Sequence, residues 1–171
     1  WQLLAAAFAS TLFQFSTPSF GQAKLPDFLD EPCTAYADSV LATLTLREQI
    51  AQLLMPPIYA HATRENWDEM ERWIETHQLG GVIAMQGAPA PHAERLSRLQ
   101  ARARIPLLVS TDAEWGLGMR IDSTRSWPLA LTFGAADDTA LTRAFGREVG
   151  QSLQAMGMHV NFAPVVDVNS N

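Results

Sequence analysis

The sequence predicts an α/β fold built on a parallel sheet, and three observations lead there. Gly81-Val82-Ile83-Ala84-Met85 is a short, continuously apolar run, as expected of a strand buried on both faces; Pro106-Leu107-Leu108-Val109-Ser110-Thr111 reads as the next buried strand and His159-Val160-Asn161-Phe162-Ala163 as one more strand. Between them lie longer stretches whose apolar residues repeat at helical spacing. The two patterns alternate, and alternation of strands with helices requires parallel pairing. About four strands are expected. The chain has 171 residues, 47% of them hydrophobic, enough for one domain with a real core. Its single cysteine, Cys33, supports neither an intramolecular disulfide nor a cysteine-based zinc cluster. The net charge is -6, with one lysine, Lys24, against eleven arginines. That balance argues against nucleic acid or an anionic membrane as the partner, since both need a basic surface.

The opening differs from the rest. Residues 1–23 carry no charge, contain the apolar run Leu3 to Ala9 followed by Leu12, Phe13 and Phe15, and end in Gly21-Gln22-Ala23. This reads as a secretory signal without its initiator Met and basic start, and hence as an exported protein, periplasmic or extracellular. An ordinary buried helix is the alternative. Ser10, Thr11, Gln14 and Ser16 interrupt the run, so no membrane span is expected. Cys33 follows Asp30-Glu31-Pro32 well past the run and makes a poor lipid-attachment site. Residues 24–45 read as a linker and leading helix, the linker covering 24–36 with Pro26 and Pro32.

Thr45-Leu46-Arg47-Glu48 matches a capping box, in which hydroxyl and carboxylate each satisfy an orphan N–H. Ile50, Leu53 and Leu54 follow on one face. A first strand is expected within Leu53 to Tyr59, irregular or at an edge because Pro56-Pro57 remove two donors. Arg64 to Leu79 predicts a helix with Trp67, Met70 and Ile74 inward, Asp68 paired with Arg72, and Gly80-Gly81 as its stop. Pro91 to Ala103 predicts another, with Leu96 and Leu99 inward and Glu94 paired with Arg98 outward. Asp137-Asp138-Thr139 caps a long helix carrying Leu141, Phe145, Val149, Leu153 and Met156, and Gly157 ends it. The sequence stops directly after a strand, at Val165-Val166-Asp167-Val168-Asn169-Ser170-Asn171, and this end reads as cut.

Parallel α/β folds meet their ligands at the C-terminal ends of strands. After the third expected strand come Asp112, Glu114, Trp115, Gly116, Gly118 and Arg120; after the fourth come Asp167 and Asn169. A carboxylate there can accept hydrogen bonds from paired hydroxyls, and an arginine can grip a carboxylate, hydroxyl or amide carbonyl. The structural alternative has Asp112 capping a turn and Arg120 pairing with Asp122 on the surface, and the residues alone leave both open. Trp115 suits either stacking on a sugar or walling a pocket, whereas Trp67 and Trp73 suit packing. His61, His77, His92 and His159 show no metal-ligand spacing, and His77 suits a helix C-terminus. No nucleophile elbow or phosphate loop is present, and Gly116-Leu117-Gly118 lacks the third glycine of a dinucleotide fingerprint, which disfavours a nucleotide-binding module. No cofactor or metal is called for.

Ile105-Pro106-Leu107-Leu108-Val109-Ser110-Thr111-Asp112-Ala113-Glu114-Trp115-Gly116, then Arg120, then Phe162-Ala163-Pro164-Val165-Val166-Asp167-Val168-Asn169, resembles the N-terminal barrel domain of glycoside hydrolase family 3, bacterial β-N-acetylglucosaminidases in particular. The Leu46-to-Met55 segment and Gly80-Gly81-Val82-Ile83 agree with that family's opening. The resemblance implies the N-terminal half of a TIM-type (β/α)8 barrel, with 46–171 an incomplete barrel domain. It implies retaining removal of a terminal β-linked N-acetylhexosamine, with β-glucosidase or β-xylosidase as the near alternative and a non-catalytic sugar-binding relative as another. By the same resemblance Asp112 and Arg120 bind the sugar, Glu114 shapes the loop, and Asp167 and Asn169 organise a strand end. The family's nucleophile and acid/base fall beyond Asn171, so no catalytic residue is expected here. The partners implied are a carbohydrate and the remaining half of the barrel, with a further domain beyond it in some forms.

Overall fold

The computed structural model describes residues 31–167; residues 1–23, read above as a secretory signal, and Asn169 lie outside the described residues. Residues 1–42 and 43–171 form separate units. The described part of the first is a helix, α1 (Glu31–Leu41), extended by an Ala42 N–H bond to the Asp38 carbonyl. It opens inside the stretch read as a linker, because Pro32 falls in the first turn, where no backbone N–H is needed.

The second unit follows the expected alternation, in the order α2 (Leu46–Ala51), β1 (Pro57–Ile58), α3 (Arg64–His77), β2 (Gly81–Ala84), α4 (Pro89–Arg102), β3 (Leu108–Thr111), α5 (Ala130–Ala136), α6 (Thr139–Ala155) and β4 (Val160–Asn161). The four strands are parallel in the order β1-β2-β3-β4. Consecutive parallel strands joined by helices are the first βα units of a (β/α)8 barrel. β1 and β4 are shorter than the apolar runs that predict them. Pro56 and Pro57 bring no N–H to β1, while the Pro56 and Ile58 carbonyls accept from Ile83 and Met85 N–H.

Helix faces explain the packing. The Thr45–Glu48 capping box forms, with the Thr45 N–H bonded to the Glu48 carboxylate at 2.8 Å and the Glu48 N–H to the Thr45 hydroxyl at 3.3 Å. The Thr45 backbone bond, then its hydroxyl, holds Glu48 below its usual carboxylate pKa. Trp67, Met70 and Ile74 of α3 and Leu96 and Leu99 of α4 are buried against Val82, Ala84, Leu107 and Val109. Asp138 caps α6, accepting from Ala140 and Leu141 N–H, and Gly157 leaves the helix at φ 68°.

Several local expectations are corrected. Gln78, at φ 59° with its N–H on the Ile74 carbonyl, terminates α3. Gly80 instead permits contact, since a Cβ there would overlap the Gln52 carbonyl. Asp68 pairs with Arg64 at 3.7 Å rather than with Arg72. Arg98 turns to the buried carboxylate of Glu71 at 2.6 Å, joined by Arg102 at 3.5 Å, so Glu94 is left without it. Burial then costs little, because both Glu71 oxygens are paired. Leu141, at the open end of α6, is 43% exposed. Leu108, at the start of β3, is also exposed, whereas Ser110 on the same face is buried, so the expected two-sided burial holds for only part of the strand.

Candidate active site

β3 is fixed from both sides before it delivers its polar residues. Ser110 and Thr111 are fully buried, and their hydroxyls donate to the carbonyls of Val82 and Ala84 at 3.2 and 2.8 Å. On the other side the His159 N–H donates to the Val109 carbonyl at 2.7 Å, and the Val109 N–H donates to His159 Nδ1 at 3.0 Å. His159 therefore stitches β4 to β3 with Nδ1 as acceptor, a role its scattered position did not suggest. Beyond the strand, Ala113 N–H donates to Asn161 Oδ1 at 2.9 Å and Phe162 N–H to the Thr111 carbonyl at 3.0 Å.

The chain then makes a tight loop. A short 3₁₀ turn, Leu117–Met119, is anchored by Leu117 and Ile121, which are 5% and 0% exposed. The loop is closed by Trp127 N–H on the Trp115 carbonyl at 2.8 Å and Gly118 N–H on the Arg125 carbonyl at 3.1 Å. Trp127 packs edge-on against Phe145 of α6, with centroids 5.7 Å apart, and Phe145 stacks on Phe133 of α5. The sequence reading missed this aromatic clamp and α5 itself. The spacing of Trp127, Phe133 and Phe145 was the available signal.

Between the two anchors Arg120 turns back to the strand end, and its Nη2 donates to Asp112 Oδ2 at 2.7 Å. The side chains are 20% and 23% exposed, so the pair is sheltered yet reachable. Arg120 Nε is buried without a hydrogen-bond partner among the described residues. Asp122 donates its N–H to Gly87 and does not pair with Arg120, so the surface alternative is excluded. An aspartate held by one oxygen keeps the other to accept hydroxyl hydrogens, and the guanidinium keeps it oriented.

The other candidates are placed apart from this pair. Glu114 lines a groove of about 660 Å³ with Phe133, Thr142, Val149 and Pro164, on the α5–α6 side. The walls of that groove are mainly apolar, and it does not include Asp112 or Arg120. Trp115 is half-buried in the loop. Asp167 is exposed and unbonded to Asp112 or Arg120 among the described residues. Among the described residues no three His, Cys, Asp or Glu side chains gather as metal ligands, and no helix is long and apolar enough to cross a membrane.

Comparison with known proteins matches residues 45–171 to the glycosyl hydrolase family 3 N terminal domain. A beta-N-acetylglucosaminidase/beta-glucosidase of Cellulomonas fimi is 26% identical over 146 residues, covering 85% of this chain and 25% of that protein. A beta-hexosaminidase A of Pseudoalteromonas piscicida is 28% identical over 117 residues, covering 60% of this chain and 19% of that protein. Among solved structures, a family 3 beta-N-acetylglucosaminidase from Paenibacillus sp. superposes with a TM-score of 0.65 at 31% identity, covering 75% of this chain and 25% of that one. The chain thus spans about a quarter or less of the length of these relatives.

Proposed function

Because the chain belongs to glycosyl hydrolase family 3 through that family's N-terminal domain, we propose that it forms the sugar-holding portion of an exported family 3 glycosidase acting on a terminal β-linked N-acetylhexosamine. The observation that carries the reading is the Arg120–Asp112 pair at the C-terminal end of β3, where a barrel presents its ligands. Asp112 accepts from sugar hydroxyls through the oxygen Arg120 leaves free, and Arg120 fixes its rotamer. The names of the relatives at 26 to 31% identity support the N-acetylglucosaminide over other sugars. Retaining hydrolysis sets a nucleophile and an acid/base about 5–5.5 Å apart across the bond; in this reading later residues of a longer protein supply both. The charge-free stretch 1–23 ending in Gly21-Gln22-Ala23 supports export, and a mature N-terminus near Lys24 is expected by mass spectrometry.

A β-glucosidase is the second reading, favoured by the double activity in the name of the Cellulomonas fimi relative. The test is to assay the full-length enzyme on aryl β-N-acetylglucosaminide and aryl β-glucoside, with and without Asp112→Ala. Two hydrogen bonds to a charged group are worth about 3–6 kcal/mol, so Asp112→Ala should lower kcat/KM by about 10²–10⁴-fold. Preference for the glucoside would move the reading to the second substrate. Near-normal kcat/KM in the variant would remove Asp112 from the site.

A further inference from the structure

One buried ionisable side chain is not used by the pair directly. His92, in the first turns of α4, is fully buried. Its Nε2 lies 2.9 Å from the Met85 carbonyl oxygen. A carbonyl can only accept, so Nε2 carries a proton, and in the neutral ring Nδ1 then holds the lone pair. Nδ1 is buried without a hydrogen-bond partner among the described residues. A leucine would fill such a place without leaving an acceptor unpaired, so packing alone does not account for an imidazole. What the imidazole does is satisfy the carbonyl of the residue that follows β2.

The segment that begins at Met85 leads straight to the arginine. Met85 N–H is bonded to the Ile58 carbonyl at 2.9 Å, and the Gln86 carbonyl accepts from Ala60 N–H at 3.2 Å. Gly87 follows at φ 147°, its missing Cβ making room for Ala60. Gly87 then brackets the arginine's backbone: its N–H donates to the Arg120 carbonyl at 3.2 Å, and its carbonyl accepts from Asp122 N–H at 3.0 Å. Residue 121 between them is the wholly buried Ile121. The series runs from His92 through Met85 and Gly87 to Arg120 and thence to Asp112 Oδ2.

We propose that His92 is a positioning residue for the Asp112–Arg120 pair, acting through the Met85–Gly87 turn as a neutral imidazole with its proton on Nε2. The proposal rests on the reading of that pair as the sugar-holding group. Burial lowers the His92 pKa from its ordinary value, as does Arg95, against the backbone of Met85 and Gln86 and the Asp122 carboxylate, which raise it; this is the direction a neutral donor needs.

The test uses the full-length enzyme on an aryl β-N-acetylglucosaminide, with three variants. His92→Gln keeps an N–H that reaches the Met85 carbonyl, His92→Phe keeps the ring without a donor, and His92→Asn is too short to reach. His92→Phe and His92→Asn should raise KM by about tenfold, the equivalent of one hydrogen bond, with a smaller change in kcat. His92→Gln should stay within about twofold of the parent. Unchanged KM in a folded Phe or Asn variant overturns the proposal, even if its thermal midpoint falls. Nitrogen-15 spectra of the parent's histidine rings give a readout independent of variant folding: an Nε2–H, unprotonated Nδ1 ring at neutral pH is expected, and the opposite tautomer overturns the proposal. Asp112→Ala, run alongside, separates the two readings. If it keeps full activity, the sugar-holding assignment itself falls; if it is disabled while His92→Phe is normal, only the role of His92 falls.

Discussion

The two faces of the sheet contrast sharply. On one, Ile58, Val82, Ala84, Val109 and Thr111 are between 0% and 3% exposed beneath α3, α4 and α6. On the other, in register with them, Leu108 and Phe162 are 52% and 50% exposed and Ile83 and Val160 are half-buried. Side chains alternate along a strand, so both faces come from the same apolar runs. The difference is which face these helices cover. In a closed barrel the second face is the packed interior, and Asp112 stands at its C-terminal rim because alternation places it on the side of Leu108 and Ser110. The apolar runs report what a completed barrel buries, and the helices between them secure only half of that.

Substitutions can break or sharpen this contrast. The largest effect should come on the covered side. Leu99 is wholly buried against the sheet, and Leu99→Ala should cost about 2–5 kcal/mol in denaturant unfolding, the usual range for a leucine truncated in a core. Leu108→Ala, on the open face, should cost under about 0.5 kcal/mol when residues 24–171 are measured alone. In the full-length protein the same change should approach the core range. Equal costs for Leu99→Ala and Leu108→Ala in the short chain would erase the difference between the faces. A middling effect is expected at the start of α2, where Thr45→Ala removes the hydroxyl that accepts from Glu48 N–H but keeps the backbone N–H bonded to the Glu48 carboxylate, and should cost about 0.5–2 kcal/mol.

The smallest effect is a pH dependence. The folded pKa of His92 is lowered, so below its ordinary value of 6.5 the unfolded chain binds more protons than the folded one. Stability is therefore full above that pH and falls as acid is added. His92→Gln should flatten this part of the profile, and an unchanged slope between the two proteins would show that His92 binds protons equally in the folded and unfolded chain.

Much of this was legible beforehand. The capping box, the inward faces of α3 and α4, the Asp138 cap and the alternation of parallel strands with helices all follow from local chemistry or periodicity. The strand limits were not legible, because an apolar run does not say where its ladder partner ends; Pro56-Pro57 shortened β1 and the exit to Pro164 shortened β4. Gly80 was misread as a helix stop because its actual constraint, the Gln52 carbonyl, is distant in sequence. Of the candidate site, Asp112 and Arg120 were singled out by type and position, but sequence spacing could not choose between Asp112 and Asp122 as the arginine's partner. The choice is made by the buried anchors Leu117 and Ile121, which turn the loop back on β3. Asn161, His159 and His92 were missed because each acts on a backbone group rather than on another polar side chain.

The central claim is that the arginine-held aspartate at the end of β3 receives the terminal sugar. A crystal structure of the full-length enzyme with N-acetylglucosamine tests it most directly. The account predicts sugar hydroxyls within hydrogen-bond distance of Asp112, with Arg120 still bonded to its other oxygen. A sugar seated instead in the groove beside Phe133 and Thr142, with no contact to Asp112 or Arg120, would contradict it.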